Sequence, residues 1–208
     1  MLKIAFHPIY KHELPVGHRF PMEKYDLLPQ QLIYEGTCVE ENFFEPKIPN
    51  NKHFFTVHDP EYFFDLLNIT LSQKAARKIG FPLSEVLVAR EMIIADGTIK
   101  ASKFALKNGI AMNIAGGTHH AFSSHGEAFC MLNDQAIGAR YLQQKGLAKK
   151  ILIIDLDVHQ GNGTAEIFKK DASVFTFSMH GKSNYPFIKE TSDLDIALKN
   201  ETKDNEYL

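Results

Sequence analysis

Short apolar runs alternate with stretches of helical spacing along this chain. Leu2 to Phe6 (LKIAF) reads as a short strand, and His7 to Met22, rich in His, Pro and Gly, reads as a long loop. Glu23 to Tyr34 is predicted as a helix, and Phe54 to His58 (FFTVH) as a short strand. Asp59-Pro60 has the form of an N-cap followed by proline in the first helical position, opening EYFFDLLNIT. Ser84 to Ile94 and Gly97 to Lys107 carry apolar residues at helical spacing, Ile110 to Ile114 is a strand running into Gly116-Gly117, and Asp134 to Gln144 is a helix. Ile151 to Val158 is a nearly all-apolar strand, the pattern expected when helices cover both faces. Ala165 to Lys169 is a short helix and Val174 to Met179 a strand. This alternation predicts one α/β domain with a mostly parallel sheet, whose functional crevice lies at the carboxyl ends of the strands.

No repeat, low-complexity tract or linker divides the 208 residues, and 44% hydrophobic with 23% charged residues is a globular mixture. The net charge of −2 gives no global basic field, so nucleic-acid binding is not expected. Cys38 and Cys130 are far apart and form no CxxC, so a reducing, cytoplasmic setting is expected. No signal peptide and no membrane span is read from the sequence.

The polar residues gather at the ends of the apolar runs. In ILIIDLDVHQGNGT (Ile151 to Thr164), Asp155, Asp157 and His159 are spaced two apart, so they share one side if the chain stays extended through His159. Two carboxylates roughly 7 Å apart at the end of a buried strand need compensation. Aspartate oxygen with histidine nitrogen is a zinc-type ligand set; a capped strand end with solvated aspartates is the alternative. Gly161 and Gly163 are expected to supply backbone conformations closed to other residues. His119 and His120, following GG on a second strand, are expected in a turn. Two imidazoles near a metal suit acid–base chemistry, with Asp155 as the carboxylate that orients one of them.

Four motifs taken in order, GGTHHAF, GEAFCMLND (Gly126 to Asp134), DLDVHQGNGT and FSMHGKSNYP (Phe177 to Pro186), resemble the zinc-dependent histone deacetylase superfamily. That superfamily includes acetoin-utilisation proteins and acetylpolyamine amidohydrolases, and DLDVHQGNG is most similar to class IV and its bacterial relatives. The resemblance covers essentially the whole chain and implies a three-layer arginase-like α/β fold. It also implies zinc held by Asp157 and His159, and catalytic roles for His119, His120, Asp155 and Asn162. Asn162 stands where the family usually has an aspartate, so His120 should be the less basic of the pair. A potassium ion would involve Asp155, Ser178 and the backbone oxygens of Asp157, His159 and Met179. Phe129, Tyr185, Gly117 and His18 would form the acyl-lysine tunnel; on composition alone Phe129 could equally be core.

The family's third zinc ligand, an aspartate, and its transition-state tyrosine lie in segments further on than any motif found here. Asp193, Asp195 and Asp204 do not resemble that ligand's surroundings, and Glu85 is not assigned to the family's substrate-gripping acid. The chain is therefore read as the N-terminal two-thirds of such a domain, with the C-terminal remainder of the domain as a partner. The expected function is hydrolysis of acetyl or longer acyl groups from lysine in proteins. The alternatives are an acetylpolyamine or other small N-acyl amide as substrate, an inactive metal- or acyl-lysine-binding fragment, and, more weakly, a phosphohydrolase read from DxD. The resemblance leaves the oligomeric state open.

Overall fold

The computed structural model describes residues 1–207 of the 208-residue chain. Among the described residues the named strands all pair in parallel. In the first sheet β1 (Lys3–Ala5) lies between β2 (Phe43–Phe44) and β3 (Ala111–Asn113). In the second, β4 (Ile151–Asp155), β5 (Val174–Gly181) and β6 (Leu194–Leu198) lie in that order. The helices are α1 (Lys24–Tyr34), α2 (Pro60–Leu67), α3 (Gln73–Ile79), α4 (Glu85–Asn108), α5 (Asp134–Gln144), α6 (Asn162–Phe168) and α7 (Asp204–Tyr207). Among the described residues no helix is long and apolar enough to cross a membrane.

The helix boundaries follow local chemistry. Ser84 starts α4 by accepting the Leu87 N–H on its side chain, and Asn133 starts α5 by accepting that of Ala136. The two stretches read as separate helices, 84–94 and 97–107, are one 24-residue helix. Gly97 does not break it: a Cβ there would sit 2.5 Å from the Tyr10 hydroxyl, so the glycine serves close packing. The stretch read as a strand at Phe54 to His58 lies instead in and just after a 3-10 helix, Asn51–Thr56. Its buried positions, Phe54, Val57 and His58, fall at helical spacing, and Phe54 stacks on Phe63 of α2 at 4.7 Å. The elements β2, α3, β6 and α7 were not expected; two to seven residues carry too little periodicity to be read.

The long apolar strand is shorter than its sequence implies and is covered on one face only. β4 stops at Asp155 because the carboxylates catch the backbone that follows. Asp155 Oδ1 accepts the Asp157 N–H at 3.0 Å and Asp157 Oδ1 accepts the His159 N–H at 2.7 Å, two successive Asx turns. Ile153 is 7% exposed against the core, while Leu152, Ile154, Phe175 and Leu194 are 46–56% exposed on the opposite face of β4–β6. Both-face burial, expected from the apolar run, is thus not found in this chain. If the two faces differ this way, Ile153→Ala should cost roughly 2–5 kcal/mol and Ile154→Ala less than about 1 kcal/mol in chemical denaturation of the 208-residue chain. Equal costs would show that the outer face is covered.

Candidate active site

The site is built where the carboxyl end of β4, the loop after β3 and the start of α6 meet. His119 and His120 occupy a turn, are 7% and 4% exposed, and have ring centres 4.0 Å apart. Each ring is held from behind by one acceptor. His119 Nδ1 donates to Asp155 Oδ2 at 2.5 Å, and His120 Nδ1 donates to Asn162 Oδ1 at 2.6 Å. An amide oxygen and a carboxylate can only accept, so both imidazoles in their neutral form carry the proton on Nδ1 and leave Nε2 as a base. Burial, and then the neighbouring His119, pulls His120 from 6.5 down to about 4. The hydrogen bond to Asn162 acts the other way and does not offset them.

Asp155, Asp157 and His159 do not share one extended side, because the strand ends at Asp155. Asp155 is buried and points to His119, whereas the side chains of Asp157 and His159 are 51% and 41% exposed. Even so, Asp157 and His159 converge: Asp157 Oδ1 lies 2.9 Å from His159 Nδ1 and 4.0 Å from His119 Nε2. Burial pushes the Asp157 carboxyl up, but the His159 backbone N–H and the neighbouring His119 and His159 outweigh it and hold the group below its ordinary value. The donors match zinc in type, one carboxylate oxygen and one imidazole nitrogen. They fall short in number, since no group of three His, Cys, Asp or Glu able to hold a metal is found among the described residues.

Gly161 and Gly163 were expected to provide unusual backbone conformations. Neither has a positive φ. They provide room: a Cβ on Gly161 would lie 2.2 Å from Asp155 Oδ2, and one on Gly163 would lie 2.4 Å from the Ala121 carbonyl oxygen. The close approach lets the start of α6 bring Asn162 to His120.

A cavity of about 620 Å³ opens over the site, lined by Gly117, His119, His120, Phe129, Asp157, His159 and Tyr185 together with Phe20, Phe81 and four basic residues. Phe129 sits at φ +69°, a left-handed conformation that is costly for an aromatic residue. Its N–H is tied to the Ile79 carbonyl at 2.6 Å and its ring packs on Phe20 and Phe81 at 5.2 and 5.0 Å. Tyr185 forms the other wall, edge-on to His120 at 5.0 Å, with its hydroxyl donating to Glu127 Oε2 at 2.5 Å. His18 does not line the cavity; it stacks on Phe81 at 5.6 Å and bonds the Gly80 carbonyl, so its neighbour Arg19 takes the lining position. Cys130 lines the cavity, but burial holds its thiol well above the ordinary range, which leaves no thiolate nucleophile.

The supports of the histidine turn were missed in the sequence. Asp134, 2% exposed, accepts the Thr118 N–H at 2.9 Å and the hydroxyls of Thr118 and Thr98 at 2.7 and 2.5 Å. His58 bridges two loops: Nδ1 donates to the Phe122 carbonyl at 2.9 Å, and Nε2 accepts the Asn133 N–H at 3.0 Å. Asn133 in turn donates to the Ala121 carbonyl and to Thr164. An Asn-Asp pair ahead of a helical pattern was the available signal, but it reads as a cap and not as a tether. Asp193 and Asp195, set aside in the sequence, bond Thr176 and Gln160, and Asp204 lies in α7, outside the cavity lining.

An α/β domain of parallel strands, with tautomer-locked imidazoles and metal-type donors at the strand ends, is the class the fold and site define. Residues 18–208 match the histone deacetylase domain. The chain belongs to the histone deacetylase family. It is 47% identical over 205 residues to an uncharacterized protein of Picosynechococcus, covering 99% of this chain and 68% of that protein. It is 28% identical to histone deacetylase 2 of Arabidopsis thaliana, covering 92% of this chain and 52% of the relative. Its fold superposes on the crystal structure of a histone deacetylase homologue from Aquifex aeolicus with a TM-score of 0.85 at 26% identity, covering 99% of this chain and 61% of that one. The chain thus spans between about half and two-thirds of the length of these three proteins.

Burial holds His58 at about 4. Because its folded value lies below the ordinary 6.5, the unfolded chain takes up the proton first as pH falls. The stability tied to neutral His58 is present above pH 6.5 and is lost as pH drops through 4, on the order of 3 kcal/mol. Denaturant midpoints measured from pH 7.5 to 4 should fall less steeply in His58→Gln than in the parent; parallel curves would refute the bridging role.

Proposed function

We propose that this domain carries out zinc-dependent hydrolysis of an N-acyl amide, with an acyl-lysine side chain as the substrate class. The observation that carries the reading is the pair His119 and His120. The rings are fixed through Nδ1 by Asp155 and Asn162 respectively, and both line one cavity with Asp157 and His159. The zinc would be held by Asp157 and His159. When bound it polarises the amide carbonyl and lowers the pKa of water.

The chain's own residues divide the remaining work. His119, with a carboxylate behind it, is positioned to accept a proton from the attacking water at Nε2. His120, held near 4 and facing only an amide oxygen, is neutral at pH 7 and passes or orients a proton at its own Nε2. Phe129 and Tyr185 shield the acyl chain from water on two sides. Asp155 pairs with Ser178 across β4 and β5, which is consistent with the implied potassium position between them. The uncovered outer face of β4–β6 is where we place the further length that the relatives possess. A third zinc ligand and an oxyanion-stabilising tyrosine would be supplied with it.

A second reading is favoured by the donor count: with two donors among the described residues, the chain by itself would be a metal- or acyl-lysine-binding unit with little turnover. Metal analysis and a peptide assay separate the two. One zinc per chain is expected, lost in both Asp157→Ala and His159→Ala. Acetyl-lysine peptide turnover by the 208-residue chain should be slower than that of a full-length relative by about two to three orders of magnitude, the worth of a missing oxyanion donor. Any residual rate should fall about 10²–10⁴-fold in His119→Ala. A chain that binds no zinc, or a rate indifferent to His119, contradicts the proposal.

A further inference from the structure

Glu127 is a largely buried carboxylate that the proposed hydrolysis does not use. Its side chain is 14% exposed. Oε1 lies 2.8 Å from Lys78 Nζ and 3.3 Å from His125 Nε2, and Oε2 accepts the Tyr185 hydroxyl at 2.5 Å. Burial pushes the carboxyl up, but the bonds from Lys78 and Tyr185 outweigh it and hold the group below its ordinary value. Burial, and then the bond to Glu127, raises the Tyr185 phenol, so its hydroxyl stays protonated and remains the donor. Hydrogen bonds to an ionised acceptor are about twice as strong as neutral ones.

The main chain of the same residue starts the turn that carries the opposite wall. The Glu127 carbonyl accepts the Cys130 N–H at 2.8 Å, with Ala128 and Phe129 between them at φ +43° and +69°. Positive φ at two adjacent residues other than glycine persists only where neighbours hold the backbone. The end of α3 does this: the Lys78 carbonyl accepts the Ala128 N–H at 2.9 Å, and the Ile79 carbonyl accepts that of Phe129. Lys78 thus holds the turn with its carbonyl and the Glu127 carboxylate with its ammonium. Across the cavity, the loop bearing Tyr185 is tied through its own backbone. The Gln160 N–H donates to the Tyr185 carbonyl at 3.3 Å, and Lys189 Nζ donates to the carbonyls of Asn184 and Pro186. Tyr185 is therefore held at its base by this loop and at its hydroxyl by Glu127. Glu127 does not itself line the cavity; it joins two of the walls from behind. Every group in this bridge belongs to the described residues.

We propose that Glu127 is a positioning residue that fixes the spacing of the Phe129 and Tyr185 walls, so that the cavity selects unbranched acyl groups over branched ones. The selection rests on the amide-hydrolase reading above, in which the acyl chain lies between those two rings. An aromatic ring held at both ends does not step aside for a branching methyl group. A ring held only through its backbone is free to change its side-chain rotamer and make room.

The test uses the full 208-residue chain supplied with zinc, and lysine peptides carrying a butyryl group or the isovaleryl group, which adds one branching methyl. The parent should bind the butyryl peptide on the order of tenfold more tightly, the worth of one methyl group in a fitted apolar pocket. Glu127→Leu and Tyr185→Phe remove the same bond from either side. Each should bring the ratio close to one, and the double variant should add nothing further. Glu127→Gln keeps an oxygen for the hydroxyl and should keep the preference, a rescue that a role in charge pairing with Lys78 alone would not give. The ring itself is followed by fluorine NMR of the chain labelled with 3-fluorotyrosine, the Tyr185 resonance being assigned by its loss in Tyr185→Phe. That resonance should shift in Glu127→Leu and stay in place in Glu127→Gln. A resonance unmoved by Glu127→Leu, or a butyryl preference that survives both Glu127→Leu and Tyr185→Phe, overturns the positioning role and leaves the amide-hydrolase reading standing. A preference lost equally in Glu127→Gln assigns the effect to the Lys78 ion pair and overturns it too. Equal binding of the two peptides by the parent defeats the selection. A resonance that moves as expected while neither peptide binds the parent keeps the hold on Tyr185 and overturns the amide-hydrolase reading together with the acyl selection.

Discussion

The buried carboxylate of Asp155 is the constraint on which the site depends. One oxygen accepts the Asp157 N–H and ends β4; the other holds the Nδ1 proton of His119. Gly161 passes so close to that second oxygen that no side chain fits there. A single group thus sets where the strand stops, which way the first imidazole faces and how near α6 can come. A buried charge is tolerated only when its lone pairs are used, and here both oxygens are engaged.

The histidine turn is held by polar groups that are themselves buried. Asp134 ties Thr118 and Thr98, Asn133 ties Ala121 and Thr164, and His58 joins the loops at Phe122 and Asn133. Each member satisfies the next, so the turn bearing His119 and His120 is positioned from below by a largely buried network. The aromatic wall is held differently. Phe129 accepts an unfavourable φ because Ile79 holds its N–H and Phe20 and Phe81 pack its ring.

The side of the site carrying Asp157 and His159 contrasts with this. Those two side chains are about half exposed, and they adjoin the end of a sheet whose outer face is bare apolar surface. The histidine half is therefore preorganised within these residues, while Asp157 and His159 offer two metal-type donors beside an open flank.

Much was legible from local pattern. The limits of α5 followed from helical spacing, the start of α2 from Asp59-Pro60, and the parallel α/β class from alternation. The pairing of His119 with Asp155 and of His120 with Asn162 followed from ordered motifs. Three things needed the tertiary structure. Phe54–Thr56 is helical and Phe54 packs on α2, and an apolar run of five residues has no period of its own to say so. Asp155 parts from Asp157 and His159 because side-chain hydrogen bonds turn the chain, a choice that strand alternation does not contain. Lys24 and Arg90, 66 positions apart in the chain, meet on the ring of Tyr25. The sequence alone determined which chemical groups are present and in what order. Packing decided which charges face one another, because that depends on distances through space between residues remote along the chain.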